Sequence, residues 1–156
     1  MLTDSQIAIL AADMAANPAL AAFITAGDDV ALANYYNESV AEEAWKTKIE
    51  LSDIFDVLDW TSFIGRSQGE RDAFRFMFTN GMINPSQVNV RTALDDIFSG
   101  GQPAAVAQRD AITALNKRTM NRVEKLFATG PVDGVYTLSV EGSLSYTDAS
   151  RARVPV

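Results

Sequence analysis

Residues 60–100 constrain the fold most strongly, because they combine helix start and stop signals with many aromatic side chains. Ser67 and Glu70 have the spacing of a capping box, which places the start of a helix near Ser67. Four apolar residues then recur on one face of that helix: Ala73, Phe74, Met77 and Phe78. We therefore predict a helix over residues 67–79. Phe76 lies off this face, so we expect the helix to have neighbours on two sides.

A second helix is predicted after a short connection. Asn80-Gly81 is a stop signal, since glycine readily adopts the left-handed conformation that ends a helix. Asn84-Pro85 is a start signal, with asparagine as the cap and proline at the first helical position. This helix should end near Phe98, before Gly100-Gly101, and pack antiparallel against the first helix. Four side chains of the pair are predicted to be buried: Phe74, Met77, Leu94 and Phe98.

Similar signals indicate helices along most of the remaining chain. Helices are predicted at 4–16, 18–24, 28–36 and 103–116, followed by a last long helix that Thr119 caps. Ser39 and Glu42 again have capping-box spacing, which predicts a helix start ahead of Trp45. We expect residues 46–51 to be extended or irregular, and Ser52 to begin a further helix.

The apolar pattern changes from helical spacing to alternation after Pro131. Residues 135–140 and 143–146 are predicted to form two strands, joined at Glu141-Gly142 by a two-residue turn. Residues from 147 onward form a polar tail that could contain a helical turn, and we expect its end to be free or ordered only by a partner. The predicted fold is mainly α, a compact multi-helix domain with a C-terminal β-hairpin. Its helical body would span residues 1–130, and the hairpin and tail residues 131–156.

The composition excludes several kinds of chemistry. The chain has no cysteine and no histidine, which removes disulfides, thiolate zinc sites, cysteine nucleophiles and Ser-His-Asp triads. Its net charge of -7 makes nonspecific binding to nucleic acid unfavourable. The N-terminal residues lack the pattern of a signal peptide, and no apolar run reaches membrane-spanning length. We expect no cofactor, no bound metal, no membrane association and no enzymatic activity.

Two clusters of charged residues could be ligand-binding sites or ordinary structural and surface charges. The four arginines Arg66, Arg71, Arg75 and Arg91 could form an anion site, or pair internally with Glu70, Asp72, Asp95 and Asp96. We favour internal pairs, because no glycine-rich phosphate loop accompanies the arginines. The acidic cluster Asp53, Asp56 and Asp59 lacks the ligand spacing of an EF-hand, so we expect a solvated helix face rather than a calcium site.

The most basic helix face and the predicted hairpin form the candidate interaction surface. The basic face could contact an acidic partner or simply be solvated, and the hairpin could pair with a strand of a neighbouring subunit. The residues of this candidate surface are Lys117, Arg118, Arg122, Lys125, Tyr136, Leu138, Leu144 and Tyr146.

Several segments resemble a family of small proteins encoded by tailed bacteriophages and prophages. The matching segments, in order, are NPALAAF, GDDVALANYYN, DWTSFIGRSQGERDAFRFMFTNG, DIFSG, ALNKRTMNRVEKLFATG and LSVEGSLSYTD. The resemblance implies a morphogenesis or virion protein, and it assigns no functional residue.

The expected function is therefore that of a non-enzymatic structural protein in the virion, placed in the head–tail connector, neck or tail. Its expected partners are other phage structural proteins and further copies of itself. The alternatives are a capsid-associated protein and an intracellular accessory protein, such as an assembly chaperone or a host-factor binder.

Overall fold

The computed structural model describes residues 1–154, and within them the fold is mainly α with a smaller β component. The α-helices are α1 (Asp4–Ala16), α2 (Ala21–Ala26), α3 (Asp29–Asn37), α4 (Leu51–Val57), α5 (Trp60–Ile64), α6 (Gln68–Met77), α7 (Val88–Ile97), α8 (Pro103–Leu115), α9 (Arg122–Phe127) and α10 (Tyr146–Arg153). The strands are β1 (Ser39–Trp45), β2 (Ile49–Glu50), β3 (Met82–Ile83), β4 (Lys117–Asn121), β5 (Thr129–Val132) and β6 (Val135–Thr137).

The chain divides into two compact units. Unit 1 comprises Met1–Glu42 and Thr119–Val156, and unit 2 comprises Glu43–Arg118. The boundaries therefore fall inside β1 and β4. One sheet has the strand order β4-β1-β6-β5, and β2 pairs with β3 in a separate antiparallel ribbon. The expected division into a body over 1–130 and an appended segment over 131–156 differs from this arrangement, in which both ends of the chain belong to unit 1.

The core of unit 1 joins residues from both ends of the sequence. Leu10 of α1 and Leu32 of α3 pack in one cluster with Val123 of α9 and Ala149 of α10. The starts of α1 and α3 follow the predicted signals. Thr3 and Gln6 form a reciprocal capping box at α1. Between α2 and α3, Gly27 has φ +69°, the left-handed conformation expected at a helix end.

The core of unit 2 is built around phenylalanines of the central helices. Phe74 of α6 lies 5.1 Å from Phe63 of α5 and 6.0 Å from Phe98, measured between ring centroids. The capping box of Ser67 and Glu70 begins α6 as predicted. Phe74, Leu94 and Phe98 are buried as expected, whereas Met77 is only partly buried. The residues after Asn84 form a turn stabilised by its side chain, so α7 begins later than predicted, at Val88.

Two predicted helix starts are strands instead. Residues 39–45 form β1 although Ser39 and Glu42 have capping-box spacing, and exposure alternates along the strand. The predicted long helix from Thr119 is also wrong, because residues 117–121 form β4 and a six-residue helix begins only at Arg122. Asn121 caps that helix and makes a capping box with Glu124. Pairing within a sheet outweighs a local cap signal when both are available.

The hairpin occurs earlier in the chain than predicted. Strands β5 and β6 are antiparallel, with Val132 opposite Val135 and Asp133-Gly134 forming the turn. Both turn residues have positive φ, 52° and 80°, which is the conformation that an Asp-Gly dipeptide favours in a two-residue hairpin. Glu141-Gly142 does not form the predicted turn, and residues 143–145 are not a strand.

The expected polar tail is a packed helix as far as the structure describes it. Ser145 caps α10, and Ala149 and Ala152 are buried against the core of unit 1. Arg153 donates to both carboxylate oxygens of Asp29 at 2.6 and 3.3 Å. This helix is therefore part of the folded unit rather than a free end, and residues 155–156 of the predicted tail lie outside the described residues.

Phe74→Ala should lower the free energy of unfolding by about 3–5 kcal/mol, because Phe74 is 3% exposed and its removal leaves a cavity among other rings. Phe76→Ala is the matched control, since Phe76 on the same helix is 81% exposed. Its effect should stay within about 0.5 kcal/mol. Urea unfolding of the three proteins measures both values, and equal effects would contradict the packing described for α6.

Ala149→Glu should destabilise the protein by more than about 2 kcal/mol, because Ala149 is 0% exposed and the new carboxylate would be buried without a partner. Thr147→Glu places the same side chain at an exposed position of α10, where the helix N-terminus tolerates an acid. Thermal unfolding followed by circular dichroism compares the two variants. Equal melting temperatures would show that α10 is dispensable for folding.

Candidate functional site

The predicted basic face is not a single helix face. Lys117 and Arg118 lie on β4, while Arg122 and Lys125 lie on α9. The sequence predicts Lys117 and Arg118 at the end of one helix, and Arg122 and Lys125 on the next helix, which Thr119 would cap. The change from strand to helix at Arg122 separates the four side chains into two local environments.

Arg122, Lys125 and Lys117 are paired with glutamates at residues 38–43. Arg122 Nη1 lies 3.0 Å from Glu38, and Lys125 Nζ contacts Glu42. Within unit 2, Lys117 Nζ lies 3.9 Å from Glu43. The Arg122 guanidinium also stacks 3.9 Å from the Tyr35 ring centroid. The positive charge predicted to attract an acidic partner is thus largely offset inside the protein.

The apolar half of the predicted surface is mostly buried. Leu138 and Leu144 are buried, and Tyr136 is half-buried on β6. Only Tyr146 is strongly exposed, at the start of α10. Leu144 and Tyr146 do not lie in a strand, so the predicted hairpin between residues 135–140 and 143–146 does not form.

Buried acids hold the fold of unit 1 together. The Glu124 carboxylate accepts from the backbone N–H groups of Asn121 and Gly142 at 3.0 and 2.7 Å. Asp148 accepts from the Leu2 N–H at 3.2 Å and from Arg151 at 3.0 Å. Each carboxylate thus compensates its burial with hydrogen bonds, as buried charges generally must.

The acidic cluster at residues 53–59 also has local structural roles. Asp53 accepts from the Glu50 N–H at 3.0 Å and completes the capping box of α4. Asp59 caps α5 by accepting from the Thr61 N–H and the Ser62 hydroxyl, and these bonds lower the pKa of its carboxyl group. Among the described residues, no group of three potential metal ligands is found.

The arginines of the central helices fulfil the ion-pair prediction only in part. Arg66 lies 3.9 Å from Glu70, and Arg75 lies 3.6 Å from Asp72. Arg71 instead donates to backbone carbonyls at the end of α5 and the loop after it. Arg91 donates to the carbonyls of the 85–86 turn and stacks 4.3 Å from the ring centroid of Trp45. These four side chains therefore serve the fold of unit 2.

A surface groove runs between α6 and α7 within unit 2. Its volume is about 460 Å³, which lies within the usual range for binding pockets. Apolar atoms form most of its wall, and its lining residues are Gly69, Glu70, Ala73, Phe76, Met77, Ala93, Asp96 and Ile97. We call this feature the α6–α7 groove. Phe76 projects beside it and is 81% exposed, although it is one of the largest apolar side chains in the protein.

A second apolar surface lies on α4 and α5 of unit 2. The rings of Phe55 and Trp60 are 5.1 Å apart and both are partly exposed, and Ile64 is 67% exposed one turn after Trp60. The Trp60 ring also meets Phe63, which belongs to the core. Unit 2 therefore exposes several large apolar side chains at its surface.

The sequence contained part of the signal for the α6–α7 groove. Phe76 lies off the buried face of its helix as predicted, but the neighbour expected on that side is absent among the described residues, since Phe76 is 81% exposed. The contributions of Ala93 and Asp96 were missed. The available signal was the position of Ala93, three residues before Asp96 and four before Ile97, since residues three and four apart share a helix face.

Comparison with protein-family models, with curated proteins and with solved structures finds no match to this chain. Within residues 1–154, no single helix is long and apolar enough to cross a membrane. Helix α1 and the segment Pro18–Ala26, bent by 88° at their junction, satisfy that criterion of length and composition only when they are joined.

Glu42 should titrate below the ordinary glutamate pKa of about 4.3, because the Lys125 ammonium donates to its carboxylate and lowers its pKa. The pair contributes stability above that ordinary value and loses it as the pH falls through the lowered one. Lys125→Gln should raise the Glu42 pKa again, and NMR detection of side-chain carboxyl carbons measures both values. An unchanged pKa in the variant would contradict the pairing.

Proposed function

We propose that the protein is a non-enzymatic structural component of a tailed-phage particle, located in the neck or tail and acting through contacts with other proteins of the particle. The sequence resemblance to phage-encoded proteins supports the setting. The observation that carries the mode of action is the exposed apolar surface of unit 2. Large apolar patches on a protein surface are typical of sites where another protein binds.

The surface of unit 2 supports a role in binding rather than in folding. Phe76, Ile64 and Val88 are each at least two-thirds exposed, so their burial contributes little to the stability of this chain. A partner that covered such side chains would gain the free energy of removing them from water, roughly 25 cal/mol per Å² of apolar surface. The exposed residues therefore favour association over a role inside the protein.

The charged residues support the same proposal. Glu38, at the end of α3, pairs with Arg122, and Glu42 of β1 pairs with Lys125. Carboxylates at the starts of α4, α5 and α6 take part in helix caps. These charged groups have identified structural roles, whereas Phe76, Ile64 and Val88 are largely exposed and belong to neither core cluster among residues 1–154. A protein that functions by binding other proteins requires a stable fold and an exposed surface that a partner can cover.

Quantitative mass spectrometry of purified particles tests this function. We expect the chain to be recovered at several copies per particle, together with known structural proteins and free of early, non-structural proteins from the same infection. Gold-labelled antibody against the chain should then decorate the neck or tail in electron micrographs.

The contrary outcomes separate the alternatives. A chain that is abundant in infected cells and absent from particles would overturn the proposal and favour an intracellular accessory protein. Label distributed over the capsid shell would overturn the neck or tail assignment and favour a capsid-associated protein.

A further inference from the structure

We propose that the α6–α7 groove binds a basic amphipathic helix of another protein, whose apolar face enters the groove and whose lysines or arginines meet its acidic walls. The inference rests on the proposed function, because it names the partner chemistry through which the protein would act. It concerns residues of unit 2 alone.

The shape of the α6–α7 groove suits an apolar helix face. Ala73 on α6 and Ala93 on α7 have small side chains that leave the groove open, and the partly buried Met77 lines it together with the edge of Ile97, which is 4% exposed. Phe76 stands beside this depression and is 81% exposed. A helix that presents apolar residues at i, i+3, i+4 and i+7 can lie along such a groove and cover the phenylalanine at the same time.

The charge of the groove selects a basic partner. Its two charged lining residues are both acids, Glu70 on α6 and Asp96 on α7, so an acid lies on each wall. Hydrogen bonds from Ser67 lower the pKa of the Glu70 carboxyl group, and Arg66 lies 3.9 Å from it, whereas the Asp96 side chain is exposed on the α7 wall. Arg75, next to Phe76 in sequence, is paired with Asp72 at 3.6 Å. Lysines or arginines flanking an apolar face would therefore meet complementary charge on both sides.

A second copy of the chain fits the groove less well. The chain carries a net charge of -7, and two copies that approached through these acidic walls would repel each other. The partner is therefore inferred to be a different, basic protein segment.

Three synthetic peptides serve as probes for the full-length protein. The first is helical, with leucine at i, i+3, i+4 and i+7 and with lysines flanking that face. The second keeps the leucines and replaces the lysines by glutamine, and the third keeps the lysines and replaces the leucines by alanine. Fluorescence anisotropy of labelled peptides measures the affinities. We expect the first peptide to bind at least about tenfold more tightly than either of the others, and to weaken as salt is added.

Variants place the binding in the groove. Phe76→Ser should weaken the first peptide by about tenfold or more, as loss of an aromatic anchor generally does. Val30→Ser is its matched control and should leave the affinity unchanged, because Val30 is an exposed apolar residue of helix α3 outside the groove lining. Ala73→Leu, which fills the groove from an exposed helix position, should also weaken binding by about tenfold, as truncating or blocking a binding anchor does.

Charge variants test the acidic walls. Asp96→Asn and Glu70→Gln should each weaken the first peptide several-fold, and glutamine at position 70 keeps the capping box of α6. Asp56→Asn removes the same charge from an exposed position of α4 and should leave the affinity unchanged. Circular dichroism confirms that each variant is folded.

Several results would overturn the inference. It fails if the first peptide does not bind, if either control peptide binds as tightly, or if Ala73→Leu and Phe76→Ser bind like the unaltered protein. Concentration-dependent dimerisation that Phe76→Ser abolishes would make a second copy the occupant. Peptide binding by a chain that is absent from purified particles would overturn the proposed function alone, and the reverse result would overturn this inference alone.

Discussion

The close packing of α10 against α1 and α3 is the constraint on which unit 1 depends. Ala149 and Ala152 allow the helices to approach closely, and both are buried in the core that includes Leu10 and Leu32. The Arg153–Asp29 ion pair connects α10 to α3, and the hydrogen bond from the Leu2 N–H to Asp148 connects the segment before α1 to α10. Because these contacts join the two ends of the sequence, the unit can form only after the intervening residues have been made. Residues 43–118 build their own phenylalanine-rich core.

The two kinds of surface differ in what their side chains already contact. Between β1 and α9, and at the end of α3, opposite charges face each other in the pairs Lys125–Glu42 and Arg122–Glu38, so little net attraction is left for a partner. Exposed pairs of this kind contribute little stability individually. On α6 and α7, apolar side chains and acids lie together without being covered by the rest of unit 2. A partner that covered the exposed apolar side chains of the second surface would gain the free energy of removing them from water. The proposed function rests on this surface.

Helix starts were the most predictable part of the fold, because a capping box is a local interaction. Thr3 with Gln6 and Ser67 with Glu70 were identified from spacing and are present. The same spacing at Ser39 and Glu42 failed, since those residues pair in a sheet with strands distant in sequence. The hairpin was misplaced for another reason. Asp133-Gly134 is a stronger turn signal than Glu141-Gly142, and only the former lies between residues that can pair.

The sequence by itself determined the mainly helical character, several helix boundaries and the burial of Phe74, Leu94 and Phe98. These follow from caps and from apolar spacing, which act over a few residues. Only the tertiary structure decided that Lys117, Arg122 and Lys125 pair with glutamates at residues 38–43, that α10 belongs to a core, and that Ala93 and Asp96 line a groove together with Phe76. The ion pairs, the packing of α10 and the groove all depend on which segments distant in sequence come into contact. Those contacts are decided by the packing of whole surfaces, which the spacing of residues along one segment does not reveal.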